Sequence, residues 1–115
     1  MTSMTPETLR DLALSALEDT KGIDIATFDV RAKTAITDYM IICTGRSNRQ
    51  TSALAEAVSI AAKRAHAAVV RVEGDAEGEW LIVDLGDVVV HVMLAGTRAN
   101  YNLEQLWGSV EALRG

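Results

Sequence analysis

The stretch Trp80-Leu81-Ile82-Val83-Asp84-Leu85-Gly86-Asp87-Val88-Val89-Val90-His91-Val92-Met93-Leu94 holds two apolar runs joined by glycine and aspartate. Glycine in the first position of a two-residue loop supplies the positive φ of a type II′ turn, so the stretch reads as a β-hairpin. With Leu85 and Val88 flanking the turn, Asp84 pairs with Val89, Ile82 with His91 and Trp80 with Met93. Side chains then alternate between two faces. One face carries Leu81, Val83, Leu85, Val88, Val90 and Val92, is wholly aliphatic, and must be core. The other carries Trp80, Ile82, Asp84, Val89, His91 and Met93. An acid and a histidine suit a dry core badly, and a tryptophan with three other apolar side chains is greasy for a water-facing sheet. This second face reads as a partner-binding surface, because tryptophan and methionine are enriched where proteins meet. The alternative is that the last helix covers it, using Tyr101 and Trp107.

Far upstream of the hairpin, Thr5-Pro6-Glu7 reads as an N-cap, a first-turn proline and a first-turn acid. Leu9, Leu12, Ala13, Ala16 and Leu17 follow with helical spacing, and Gly22 is the expected C-terminal cap. Ile25 to Val30 reads as a strand, Arg31 to Thr37 as a turn, and Tyr39 to Cys43 as a buried strand. Ser47-Asn48-Arg49-Gln50 has the capping-box pattern and opens a helix to about Ala65, with Leu54, Val58, Ala61 and Ala65 as its buried stripe. Ala68 to Val72 reads as a third strand, and Glu73 to Glu79 as an acidic loop leading into the hairpin. A last helix opens at Asn102, with Gln105 completing its cap, and buries Leu103, Leu106, Trp107, Val110 and Leu113. The order is helix, two strands, helix, three strands, helix. It predicts a single α/β domain with a mixed five-stranded sheet that ends in an antiparallel hairpin and is flanked by helices.

The 115 residues suffice for one domain and leave no room for a second. Apolar residues make up 49% and charged residues 23%, the balance of an ordinary globular fold. The longest apolar stretch, Val88 to Ala95, is far shorter than a membrane span, and Met1 to Asp19 lacks the pattern of a secretory signal. A single cysteine, Cys43, fits a reducing compartment, so a cytoplasmic location is expected. Sixteen acids against eleven basic residues give a net charge of −5, which opposes direct binding along a phosphate backbone and favours a basic partner.

Candidate chemistry is sparse. Asp84 and His91 lie diagonally on one face and could touch, but Asp87 sits in the turn, no third metal ligand converges, and no nucleophile stands ready for an Asp–His pair. Cys43, ending an apolar strand, reads as a small core residue, and His66 as a solvated cation after its helix. The turn Thr44-Gly45-Arg46-Ser47 could hold an anion at a helix N-terminus, against the simpler reading of capping by Ser47. The acids of the Glu73 to Glu79 loop lack the spacing of a calcium loop.

Several separated motifs, in order, resemble the ribosomal silencing factor family, also called Iojap-related. They are Thr37-Asp38 followed by Tyr39-Met40-Ile41-Ile42-Cys43-Thr44-Gly45, the run Ser47 to Gln50, Trp80 with Asp84 to Val92, and Tyr101-Asn102-Leu103-Glu104-Gln105-Leu106-Trp107. The resemblance covers roughly Leu9 to Trp107. It implies a fold similar to nucleotidyltransferases without their catalytic acids, no enzymatic activity and no cofactor. It also implies binding to the large ribosomal subunit through its protein number fourteen. The bound factor would block joining of the small subunit and so repress translation under nutrient limitation, with a homodimer off the ribosome. The family's aromatic, acid and histidine pattern falls on Trp80, Asp84, His91, Tyr101, Glu104 and Trp107, while Met93 and Asn100 stand where many relatives carry aromatic residues. The partner-binding set expected from both lines is Trp80, Ile82, Asp84, His91, Met93 and Tyr101.

The charge pattern agrees with a protein partner: six acids and no lysine or arginine lie between Glu73 and His91. Such a stretch would repel RNA and suit a basic ribosomal protein. The rival expectation is a nucleotide-binding or nucleotidyltransferase-like enzyme, with the Gly45 to Ser47 turn on phosphates and Asp84 or Asp87 on magnesium. It lacks closely spaced acids after that turn, since Glu56 is the sole acid between Ser47 and Val72.

Overall fold

The computed structural model describes residues 4–75 and 77–101, Tyr101 in its backbone only. Eight elements follow in order: α1 (Pro6–Asp19), β1 (Ile23–Asp29), β2 (Tyr39–Gly45), α2 (Asn48–Arg64), β3 (Arg71–Gly74), β4 (Trp80–Asp84), β5 (Val88–Leu94) and α3 (Ala95–Tyr101). The strands form one mixed sheet in the order β1-β2-β5-β4-β3. β5 is central, parallel to β2 and antiparallel to β4, while β1 and β3 run antiparallel to their neighbours at the two edges. The mixed five-stranded α/β architecture expected from the sequence is therefore the one observed.

The hairpin register is also the expected one, with Asp84 opposite Val89, Ile82 opposite His91 and Trp80 opposite Met93. Gly86 takes φ +85, which an L side chain adopts only with strain, and Leu85 N–H donates to the Val88 carbonyl at 2.9 Å to close the turn. Val83, Leu85, Val88, Val90 and Val92 are buried, and Leu81 packs against them. Leu9, Ala13 and Leu17 of α1 and Leu54, Ala55, Val58 and Ala62 of α2 meet this face, so both helices cover the same side of the sheet.

Thr5 caps α1 as expected, its Oγ1 accepting the Thr8 N–H at 3.1 Å. The other end differs. Lys21, at φ 68, is the left-handed residue, and the Gly22 N–H reaches back to the Leu17 carbonyl at 2.9 Å in a Schellman arrangement. Gly22 is glycine for a different reason: a Cβ there would sit 2.4 Å from the Cys43 Sγ. His66 ends α2 in the same left-handed way, at φ 63. The buried stripe of α2 runs through Thr51, Leu54, Ala55, Val58, Ser59 and Ala62, so Ala62 rather than Ala61 or Ala65 turns inward at its end.

Two further elements depart from expectation. The third strand is Arg71–Gly74, not Ala68 to Val72, because Val70 is spent on the core as the chain crosses to the sheet edge, and the strand that follows is exposed throughout. α3 follows β5 without a loop; its Ala-Gly-Thr-Arg sequence has no apolar stripe to announce a helix. Arg98 staples it down, Nη1 donating to the Asp24 carbonyl at 2.7 Å and the Thr44 hydroxyl at 2.8 Å. The helix expected from Asn102 onward, with Glu104 and Trp107, lies outside the described residues.

Candidate functional site

The face of β4 and β5 that points away from α1 and α2 carries Trp80, Ile82, Asp84, Val89, His91 and Met93, since alternation puts them opposite the aliphatic set. β2 lies beside β5 and adds Met40 and Ile42 to this side, in register with Val89 and His91. With Val30 and the flanks of Phe28 and Trp80 these side chains build a second core around Met93. The consequence corrects the sequence reading: Met93 is fully buried and His91 is 8% exposed, so neither presents an open surface. Trp80, Ile82, Asp84 and Val89 are half-buried and provide the accessible part of the face.

Within that face the structure brings Trp80 and His91 together. The indole Nε1–H donates to His91 Nδ1 at 2.9 Å, with the ring centroids 5.8 Å apart and the planes tilted by 48°. The bond requires an unprotonated Nδ1, so the neutral imidazole carries its proton on Nε2. Burial enforces the same state by pushing the His91 pKa down to about 4, because the charged ring would lose its water. His91 therefore holds Trp80 by its polar tip while Met93 supports its ring, and the indole stands as a pre-oriented anchor on the sheet.

Asp84 has other partners than His91. Its carboxylate accepts the Gly86 N–H at 2.8 Å and faces the Arg71 guanidinium at 3.4 Å, so the Asp–His contact allowed by the diagonal register is not made. Asp87 serves through its backbone carbonyl, which accepts the N–H groups of Asp38 and Tyr39 at 2.9 and 3.1 Å and anchors the start of β2 beside the hairpin turn. The Tyr101 backbone closes α3, and its side chain lies outside the description.

The strand-to-helix turn after β2 is filled by its own caps. Ser47 Oγ accepts the Gln50 N–H at 3.1 Å, and Gln50 Oε1 accepts the Arg46 N–H at 2.7 Å, one residue earlier than a standard capping box. Gln50 Nε2 donates in turn to the Thr20 and Lys21 carbonyls at 3.3 and 3.1 Å. A Cβ on Gly45 would come within 2.7 Å of Thr51 Cγ2, so glycine here serves close packing of helix on strand. Among the described residues no three His, Cys, Asp or Glu side chains gather as a metal site. Cys43 is fully buried, and desolvation pushes its thiol up to about 11, the environment of a core residue.

Sequence reasoning missed one group altogether. Arg10 and Arg31 lie over the Tyr39 ring at 4.8 and 5.2 Å, and the Tyr39 hydroxyl donates to Glu7 at 3.0 Å. Arg31 also pairs with Asp29 at 2.6 Å. These residues come from α1, β1, β2 and the turn after β1, so no local spacing could announce them; the cluster ties α1 to the start of β2.

Residues 3–114 of the chain match the family model described as ribosomal silencing factor during starvation, RsfS. The chain belongs to the ribosomal silencing factor family. The ribosomal silencing factor RsfS of Chromobacterium violaceum is 50% identical over 97 residues, covering 84% of this chain and 80% of that protein. Its counterpart in Haemophilus influenzae is 44% identical over 99 residues, covering 86% and 97%. A crystal structure of a C. violaceum protein superposes with a TM-score of 0.88 at 48% identity, over 91% of this chain and 88% of that one. Family membership thus comes with the fold built above, and the Trp80–His91 pair sits on the central strands of that fold.

Proposed function

We propose that this chain acts without catalysis, by docking the Trp80 face of β4 and β5 on large-subunit ribosomal protein number fourteen and so blocking the small subunit. It thereby represses translation when nutrients are short. Trp80 is the anchor, Ile82 extends the apolar contact, and Asp84 offers charge to a basic partner. His91 and Met93 act by holding the indole in place, and Tyr101 completes the partner-binding set. The protein works in the cytoplasm, needs no cofactor, reads no nucleic acid directly, engages no membrane, and forms a homodimer off the ribosome.

The observation that carries this reading is the pre-oriented indole. A large aromatic side chain, fixed by a hydrogen bond to a buried histidine and still partly accessible, is the form of an interface hot spot, whose ordering cost has been met before binding. The rival nucleotide-binding reading is disfavoured by the turn before α2, whose amides are engaged by Ser47 and Gln50. Sedimentation with purified large subunits, small subunits and assembled ribosomes tests the proposal. The protein is expected to follow the large subunit alone. Trp80→Ala, still folded by circular dichroism, is expected to weaken that binding by about 2 kcal/mol or more. Full binding by a folded Trp80→Ala protein would remove this face from the interface.

A further inference from the structure

Trp80 and α2 lie on opposite sides of the sheet, yet one side chain of the helix reaches the backbone that leads into Trp80. Thr51 closes the first turn of α2 and is fully buried. Its Cγ2 methyl packs against the end of β2, where a Cβ on Gly45 would come within 2.7 Å of it. Its hydroxyl stands between two carbonyl oxygens, that of Asn48 at 2.8 Å and that of Gly78, and shares its one hydrogen between them. Gly78 lies two residues before Trp80, buried and at φ +75. A Cβ there would meet Thr51 Oγ1 at 3.0 Å and the Asn48 carbonyl at 3.1 Å, so helix and incoming chain are in direct contact.

We propose that Thr51 is a positioning residue for Trp80, its hydroxyl fixing the backbone from which the indole rises. Glu79, the residue between, is held from the ends of β3 and β5: its N–H donates to the Asp75 carboxylate at 2.9 Å, and its carbonyl accepts the Leu94 N–H at 3.1 Å. The Trp80 carbonyl accepts the Asp75 N–H at 3.4 Å. Those bonds set the segment along the sheet, whereas the Thr51 hydroxyl acts from the helix layer and sets its depth. His91 then fixes the tip of the indole and Thr51 its root. A displaced root carries Nε1 out of line with His91 Nδ1, 2.9 Å away, and a hydrogen bond weakens steeply with misalignment. Valine at this position keeps the shape of threonine and takes the donor from the Gly78 carbonyl; serine keeps the donor and loses the methyl on Gly45.

The inference rests on the docking role of the Trp80 face for its binding readout only, because the indole itself can be followed. In proton–nitrogen correlation spectra of the full chain, the Trp80 Nε1–H resonance, identified by its loss in Trp80→Phe, is expected to shift or broaden in Thr51→Val and to return in Thr51→Ser. Binding to purified large subunits is expected to weaken about three- to tenfold in Thr51→Val and to recover in Thr51→Ser. Gly78→Ala presses on the same contact from the other side and is expected to disturb the same resonance, which keeps the test open should Thr51→Val not fold. An unmoved indole resonance in either folded variant overturns the proposal. A resonance that Thr51→Ser does not restore also overturns it, since the methyl would then be the group that matters. A displaced indole with undiminished binding supports the positioning role and removes the Trp80 face from the interface instead.

Discussion

His91 should make this fold acid-sensitive in a defined window. In the unfolded chain its imidazole takes up a proton near pH 6.5, whereas in the fold it resists protonation down to about 4. Between those values the unfolded state binds more protons, so stability must fall as pH falls, beginning near 6.5 and complete below about 4. The gap corresponds to roughly 3 kcal/mol at full extent, with a slope of up to about 1.4 kcal/mol per pH unit within the window. Protonation would also place a hydrogen on Nδ1, the atom that accepts the indole N–H at 2.9 Å, and so release Trp80. The assay is urea unfolding of wild type and His91→Asn from pH 7.5 to 4, read by circular dichroism. Asparagine offers an amide oxygen near the position of Nδ1 but does not titrate. The expected result is that the wild-type curve falls away from the variant's by about 3 kcal/mol on acidification. Parallel curves, or a His91 pKa above 6 by NMR titration, would refute the account of a buried neutral imidazole bonded to Trp80.

Three other outcomes follow from the packing and the charge. Val90→Asp buries an unpaired carboxylate between the sheet and the helices, a cost above the stability of a small domain, so soluble cooperative folding of this variant would contradict the assigned core face. Lys21→Gly relieves a left-handed lysine and is expected to stabilise by about 0.5–1 kcal/mol, whereas Gly22→Ala drives a methyl into Cys43 Sγ and is expected to cost about 1–3 kcal/mol; denaturant midpoints compare them. Asp84→Lys is expected to slow association with the isolated basic ribosomal protein, the effect shrinking at high salt; tighter binding of the variant both to that protein and to whole subunits would point to RNA as the contact.

The hairpin was legible because each of its residues carries the same message: strict alternation of faces, with a glycine where only positive φ closes the turn. Strand β3 was not, since an edge strand has no reason to be apolar, while Val70, just before it, packs on the core as the chain crosses to the sheet edge. Gly22 misled for a similar reason. A glycine at a helix end suggests a left-handed cap, yet contact with Cys43, twenty-one positions along the chain, fixes it, and Lys21 takes the strained conformation. At the candidate site, alternation identified the residues of the face but could not show their depth. Met93 is sealed by Met40 and Ile42 of β2 and by Val30 of the turn beyond β1, and His91, in register with Ile42, is buried beside them. The indole–imidazole bond was likewise invisible, because register gives Trp80 to Met93 and Ile82 to His91, and the bond runs diagonally between those pairs.

The central place of β5 has a consequence for how the chain is made. Its seven residues join the early pair β1–β2 to the late pair β3–β4, with Tyr39 beside Val88 and Gly45 beside Leu94. Until the ribosome has synthesised that strand, the growing chain holds two sheet fragments with nothing between them and a half-assembled apolar layer under α1 and α2. Folding must then wait for contacts distant in sequence, the slow kind, and nascent chains halted before Val88 should be open to proteases and chaperones. Those carrying Leu94 clear of the exit tunnel should acquire resistance in a single step.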